Sequence, residues 1–144
     1  MDKNYESLRL QNQLCFPLYA ASREIVKKYT PYLDEIGLTY TQYITMMVVW
    51  EEEELSVKAL GARLFLDSGT MTPVLKALEK KGFVSRTRSK EDERVLLVSL
   101  TEAGRELQEK ALEIPVKVGS CIQLSPEEAG SLYQILYKIL GKEL

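Results

Sequence analysis

The chain has 144 residues, 45% of them hydrophobic and 28% charged, with a formal net charge of −2 and no histidine. That is the size of one domain and the composition of an ordinary globular protein, and the missing histidine excludes Ser-His-Asp and Cys-His nucleophiles and histidine zinc sites. No run of about 18 apolar residues offers a membrane span, and the N-terminus lacks the basic-then-apolar pattern of a signal peptide, so a cytoplasmic protein without membrane contact, catalytic residue, metal or cofactor is expected.

In chain order, residues 8–28 read as an amphipathic helix with Leu14, Leu18 and Ile25 on its apolar side. Pro17 is tolerated if the helix starts only one turn earlier, which puts Cys15 in the first turn. Residues 29–38, with Pro31 and Gly37, read as a connector. Thr39 then caps a helix to about Glu51 that is apolar nearly all round and therefore buried, with the acidic run Glu51–Glu54 as its solvated end.

Ser56 caps a helix with Val57, Leu60 and Leu64 on one face. Asp67-Ser68-Gly69 reads as a turn. A second helix is expected from Thr70 to Lys81, with Pro73 in its first turn, Val74, Leu75 and Leu78 inward, and Gly82 closing it. Phe83–Arg88 alternates as a strand, Ser89–Glu93 is a polar tip, and Arg94–Leu100 returns with Leu96, Val98 and Leu100 on one face. Thr101 caps a helix to about Val118, with the stripe Leu107, Ala111, Ile114 and Val118 and a bend at Pro115. Ser125-Pro126-Glu127-Glu128 is a capping box that opens a final helix ending near Gly141.

Helix, turn, helix and charged ribbon in that order predict a mainly α fold with a small β-ribbon: one domain over 1–144, with a winged helix-turn-helix at about 39–100. The flanking helices, at about 8–28 and 101–141, have apolar faces too wide for so small a head to cover. They are expected to pair across a two-fold axis as the dimerisation helices of a homodimer.

Charge is uneven along the chain. From Lys76 to Arg94 lie seven basic residues (Lys76, Lys80, Lys81, Arg86, Arg88, Lys90, Arg94) against four acidic ones (Glu79, Glu91, Asp92, Glu93). A basic face on an acidic body suits contact with phosphates at one surface. Ser68, Thr70 and Thr72 are small hydrogen-bonders at the start of the candidate recognition helix, and Lys76 suits a phosphate. Arg86, Arg88, Lys90 and Arg94 are assigned to a hairpin tip narrow enough for a minor groove, with Asp92 placed to orient the Arg94 guanidinium.

Asp92-Glu93-Arg94 followed by Leu96, Val98, Leu100-Thr101 and Gly104 resembles the wing signature of the MarR family of bacterial transcription regulators. Within it, Leu14-Cys15-Phe16-Pro17-Leu18-Tyr19 and Leu66–Pro73 are similar to the OhrR group, repressors that sense organic hydroperoxides. The resemblance implies an obligate dimer on a pseudo-palindromic double-stranded operator. Each recognition helix would take a major groove and each wing a flanking minor groove.

A thiol reports peroxide only as thiolate, and a free thiol of pKa about 8.5 is a few per cent ionised at neutral pH. Without histidine, the means left to favour the anion are a helix N-terminus and hydroxyl donors. Tyr19, Tyr29, Tyr32, Tyr40 and Tyr43 all fall between the first two helices. The resemblance singles out Tyr29 and Tyr40 as donors to the reactive cysteine, Cys15, from the partner subunit, and Tyr19 is kept beside them as a thiolate stabiliser. Cys121 matches either the resolving cysteine of some OhrR-like proteins or a bystander; in the second case a low-molecular-weight thiol completes the oxidation. Four other functions compete: a repressor released by a phenolic or aromatic effector bound near Met46, Met47 and Trp50, a broader thiol-based redox regulator of stress or virulence genes, a thiol peroxidase, and a protein-binding winged helix.

Overall fold

The computed structural model describes residues 3–142; Met1, Asp2 and residues 143–144 lie outside the described residues. Two short 3-10 turns, Glu6–Leu8 and Leu10–Asn12, precede helix α1, Cys15–Glu35. It starts and ends later than the sequence pattern predicts. Pro31 lies inside it and removes one backbone donor. The helix survives because Tyr29 before that point and Tyr32 and Leu33 after it pack against the core, Leu33 being buried. The residues expected to form a connector are thus mostly helix, and the chain reverses at Gly37, where φ is 70°.

Helix α2, Tyr40–Glu52, opens with a reciprocal capping box between Thr39 and Gln42 and is the central core helix, burying Tyr43, Thr45, Met46, Val48 and Val49. Its acidic end does more than face solvent. Glu51 and Glu52 both pair with Arg63, and Glu53 pairs with Arg105. Glu53 takes φ 61°, which turns the chain into strand β1, Glu54–Ser56, an element the sequence pattern did not reveal.

Helices α3, Val57–Leu64, and α4, Ser68–Lys80, form the helix-turn-helix. The turn comes two residues earlier than predicted. Phe65 adopts the left-handed conformation and Asp67 is the N-cap of α4, accepting from the Thr70 amide at 2.7 Å. Ser68 and Gly69 are therefore helical, and Pro73 falls in the second turn rather than the first. Gly61 sets how closely the two helices approach, since a Cβ there would meet the Leu66 carbonyl oxygen at 2.6 Å. Gly82, at φ 84°, ends α4 with its amide on the Glu79 carbonyl, and the Phe83 amide bonds the Leu78 carbonyl, the paired closure that favours glycine.

Strands β2, Val84–Arg88, and β3, Leu96–Leu100, pair antiparallel, with β1 on the other side of β3. Arg94 and Val95, expected in the returning strand, belong to the tip, where the Val95 amide bonds the Asp92 carbonyl. Helix α5, Glu102–Ala111, is capped by Thr101. The predicted bend at Pro115 is a full break, with a separate α6 at Ile114–Gly119, yet Leu107, Ala111, Ile114 and Val118 are all buried as the stripe requires.

Gly104 is where α5 meets the wing. Its carbonyl accepts from Trp50 Nε1 at 2.9 Å, and an added Cβ would collide with the Phe83 carbonyl oxygen and sit 2.8 Å from Leu100 Cδ1. Gly104→Ala is expected to cost about 1–3 kcal/mol of stability through overpacking, read as an earlier midpoint in a urea melt.

The last helix, α7, Pro126–Ile139, is capped by Ser125 and Glu128 and has no buried residue. Leu132, Tyr133, Ile135 and Ile139 stand exposed, as do Leu14 just before α1 and Phe16, Leu18 and Val26 on it.

Candidate redox site and nucleic-acid interface

The surface formed by α4 and the wing is built from local caps. With Asp67 capping α4, its carboxyl is held below the usual range by the Thr70 amide, and Ser68, Thr70, Thr72 and Lys76 are all exposed along the helix. Thr72 Oγ1 donates to the Ser68 carbonyl at 2.9 Å, which fixes its rotamer. A cleft of about 650 Å³ runs between this helix and the wing, lined by Lys58, Ser68, Thr72 and Arg94. Lys58 was missed by the sequence reading; its signal is a cation two residues after the Ser56 cap.

At the tip, Arg94 is held as a fork. Its Nε donates to Asp92 Oδ1 at 3.0 Å and its Nη2 to Oδ2 at 3.1 Å, while its side chain stays 90% exposed. Arg94 holds the Asp92 carboxyl below the ordinary carboxylate range. Arg88 and Lys90 are also exposed. Arg86 is not at the tip. It lies mid-strand opposite Val98, and its guanidinium is engaged by Glu79 of α4, so it braces the wing against the recognition helix. Lys81 is engaged as well, donating to the Gly37 carbonyl and to Gln42 Oε1.

Cys15 is the first residue of α1 and its thiol is exposed. It stands where the helix dipole favours negative charge. Tyr29, Tyr40 and Tyr43 form one cluster, with ring centroids 4.9 Å apart for Tyr29 and Tyr40 and 5.7 Å for Tyr29 and Tyr43. Burial pushes the pKa of all three up, that of Tyr43 to about 12, so their hydroxyls remain donors at physiological pH. The Tyr43 hydroxyl is buried without a partner among the described residues. The Tyr43 residue is also part of the wall of a cleft of about 270 Å³, with Met47, Trp50, Gln108, Leu112 and Pro115.

The structure does not bring Cys15 to this cluster within one chain. At about 1.5 Å per residue, Tyr29 lies about 21 Å further along α1. Tyr19, one turn from Cys15, is exposed beneath the Arg23 guanidinium, 5.5 Å from its ring centroid. Cys121 follows α6, with its Sγ 3.4 Å from the Lys117 carbonyl. It sits beside Tyr32, whose pKa is raised chiefly by the neighbouring Cys121 thiol, and Lys117 Nζ lies 5.8 Å from the Tyr32 ring centroid. Tyr32 is about 25 Å along α1 from Cys15. Because a disulfide needs Cα atoms within about 7 Å, the two thiols of one chain are not partners. The tyrosine donors and Cys121 share one end of α1; Cys15 occupies the other. Among the described residues, no cluster of three or more Cys, Asp or Glu side chains is placed to hold a metal, and no helix is long and apolar enough to cross a membrane.

These elements define a winged helix-turn-helix transcription regulator of the MarR type. The chain belongs to the transcriptional regulator SarA/Rot family, whose model matches residues 27–111. It is 47% identical to the organic hydroperoxide resistance transcriptional regulator of Bacillus subtilis, over 97% of this chain and 95% of that one. It is 49% identical to the HTH-type transcriptional regulator SarZ of Staphylococcus aureus, over 95% and 93%. Among solved structures, reduced AbfR bound to DNA matches with a TM-score of 0.78 and 37% identity over 94% of each chain. The disulfide-formed state of AbfR matches with a TM-score of 0.66, at 37% identity over 94% of this chain and 95% of that one.

Proposed function

We propose that the chain is a homodimeric repressor that binds a double-stranded operator and is released when an organic hydroperoxide oxidises Cys15. The observation that carries this reading is the separation along α1. An exposed thiol at a helix N-terminus lies about 21 Å from a cluster of protonated tyrosines on the same helix. A two-fold pairing through the exposed faces of α1 and α7 would bring each Cys15 to Tyr29 and Tyr40 of the other copy. The relatives are transcriptional regulators, and both reduced and overoxidised AbfR are described bound to DNA.

The chemistry is stoichiometric, with no turnover. Cys15 thiolate attacks the peroxide O–O bond, taking one oxygen to become sulfenic acid while the alkoxide leaves and takes a proton. The sulfenic acid then condenses with a thiol, losing water. Cys121 of the other copy is suited to supply that thiol, since it shares the tyrosine end of α1; a small cellular thiol is the alternative. Ser68, Thr70, Thr72 and Lys76 would meet the major groove, with Arg88, Lys90 and Arg94 at the flanking minor groove. Arg86 would serve the interface through Glu79.

The test is a gel shift on the DNA upstream of the protein's own gene, reduced and after cumene hydroperoxide, with intact-mass readout of both thiols. Undiminished binding by protein shown to be oxidised at Cys15 would refute the reading. Tyr29→Phe with Tyr40→Phe is expected to slow Cys15 oxidation about tenfold, the worth of a hydrogen bond to a charged group, while operator affinity stays unchanged; stopped-flow thiol oxidation checks it.

The largely apolar lining of the 270 Å³ cleft, with Tyr43, Met47, Trp50 and Leu112, favours a second ligand mode, a phenolic or aromatic effector. A Cys15→Ser protein that such a compound still releases from DNA would establish that mode; one that ignores it would eliminate it.

A further inference from the structure

Lys81 is the exposed C-cap of the recognition helix, yet its ammonium is tethered to neighbouring elements. Nζ donates to the Gly37 carbonyl at 2.6 Å and to Gln42 Oε1 at 2.8 Å. Gly37 is the reversal between α1 and α2, and Gln42 is 8% exposed in the first turn of α2. The same Gln42 oxygen accepts from the Thr39 amide at 3.1 Å, and the Gln42 amide donates to Thr39 Oγ1 at 3.2 Å. One amide oxygen with two lone pairs thus serves both the cap of α2 and the end of α4. The residue between Thr39 and Thr41 is Tyr40, whose ring lies 4.9 Å from that of Tyr29.

We propose that Lys81 is a positioning residue that couples the sensing tyrosines to the recognition helix. It ties the end of α4 remote from Ser68 to the same turn of α2 that carries Tyr40. A displacement of Tyr40 moves Thr39 and Gln42 with it, and the tether passes that movement to α4. The proposal rests on Tyr29 and Tyr40 acting as donors to the sensing thiol.

Lys81 lies in the basic window, so a phosphate contact is the competing role. Its acceptors separate the two, because an ammonium committed to a carbonyl and a buried amide has most of its donors occupied. Lys80, next to it, has no ion pair or side-chain hydrogen bond among the described residues and makes the matched control.

The experiment measures operator Kd by fluorescence anisotropy for reduced and for stoichiometrically cumene hydroperoxide-oxidised protein, at two salt concentrations. The ratio of the two Kd values is the response. Lys81→Met keeps the stem and removes the donors. It is expected to shrink the ratio about fivefold, within the range for residues along a coupling route, at an unchanged rate of Cys15 oxidation. Lys81→Arg, which retains donors, is expected to recover the ratio. Gln42→Leu removes the acceptor and is expected to shrink it as Lys81→Met does; it carries the test if Lys81→Met proves unstable in a melt. Lys80→Met is expected to leave the ratio unchanged. A wild-type ratio in Lys81→Met overturns the proposal, as does an equal weakening of both states with a smaller salt dependence, which would make Lys81 a phosphate ligand. A wild-type protein that binds equally in both states overturns the peroxide-release reading itself and the coupling with it.

Discussion

Cys15→Ser is expected to bind the operator within about twofold of the wild-type reduced protein, because exposed substitutions rarely move stability beyond about 0.5 kcal/mol, and to lose release by cumene hydroperoxide altogether. Position 15 is exposed at the first turn of α1, and serine preserves the shape there. What serine lacks is a sulfur able to accept oxygen. The ratio of oxidised to reduced Kd, which for a coupling of about 1–3 kcal/mol is about 5- to 150-fold, should fall to one. Cys121→Ser separates the two thiols. If Cys121 resolves the sulfenic acid, the variant still loses its grip on DNA when oxidised but yields no covalent dimer on a non-reducing gel; its mass shift then reports a free sulfenic acid or a small-thiol adduct. Equal peroxide sensitivity in Cys15→Ser and wild type would remove the sensor and leave the DNA-binding head standing.

How far this was legible in the sequence depended on the distance over which each feature is determined. The caps Thr39, Ser56, Thr101 and Ser125 all stand where the sequence predicts, each with its side chain accepting an amide three residues on. A cap is decided within four residues. The buried stripe Leu107, Ala111, Ile114 and Val118 was equally readable, since its spacing survives even the break before Ile114. Pro31 was misread because a local rule met a tertiary contact: the packing of Leu33 outweighs one missing hydrogen bond. β1 was invisible because three residues carry no period, and it exists by pairing with β3. The engagement of Arg86 with Glu79 and of Lys81 with Gln42 escaped for a related reason. Composition marks a cation but not its partner in the fold, so both read as members of a basic face. The proposed redox site is the extreme case. Its residue types were recognisable, but one chain keeps Cys15 far from Tyr29 and Tyr40, and a symmetry operation has no sequence signature beyond the apolar faces it covers.

The wing carries the other large effect. Arg94→Ala is expected to weaken operator binding about a hundredfold, since a base- or groove-reading arginine is worth about 1–3 kcal/mol and a dimer loses two. The dependence of log Kd on log salt should fall by about two, one phosphate equivalent per wing. Fluorescence anisotropy across a salt series reads both quantities. Asp92→Asn tests why the arginine is effective. An exposed arginine normally gives up rotamer freedom on binding, at a cost of up to about 2 kcal/mol. Here two hydrogen bonds to Asp92 already hold the fork in place. Because Arg94 holds that carboxyl below its usual range, the clamp is ionised above the ordinary carboxylate pKa and is lost as pH falls through the lowered one. Asp92→Asn keeps the shape but removes the charge assistance, so its affinity should fall between wild type and Arg94→Ala with the salt slope preserved. A loss in Asp92→Asn as large as in Arg94→Ala would mean that orientation, rather than charge, is what the groove reads. No loss at all would make Arg94 a simple cation and the Asp92 fork irrelevant to binding.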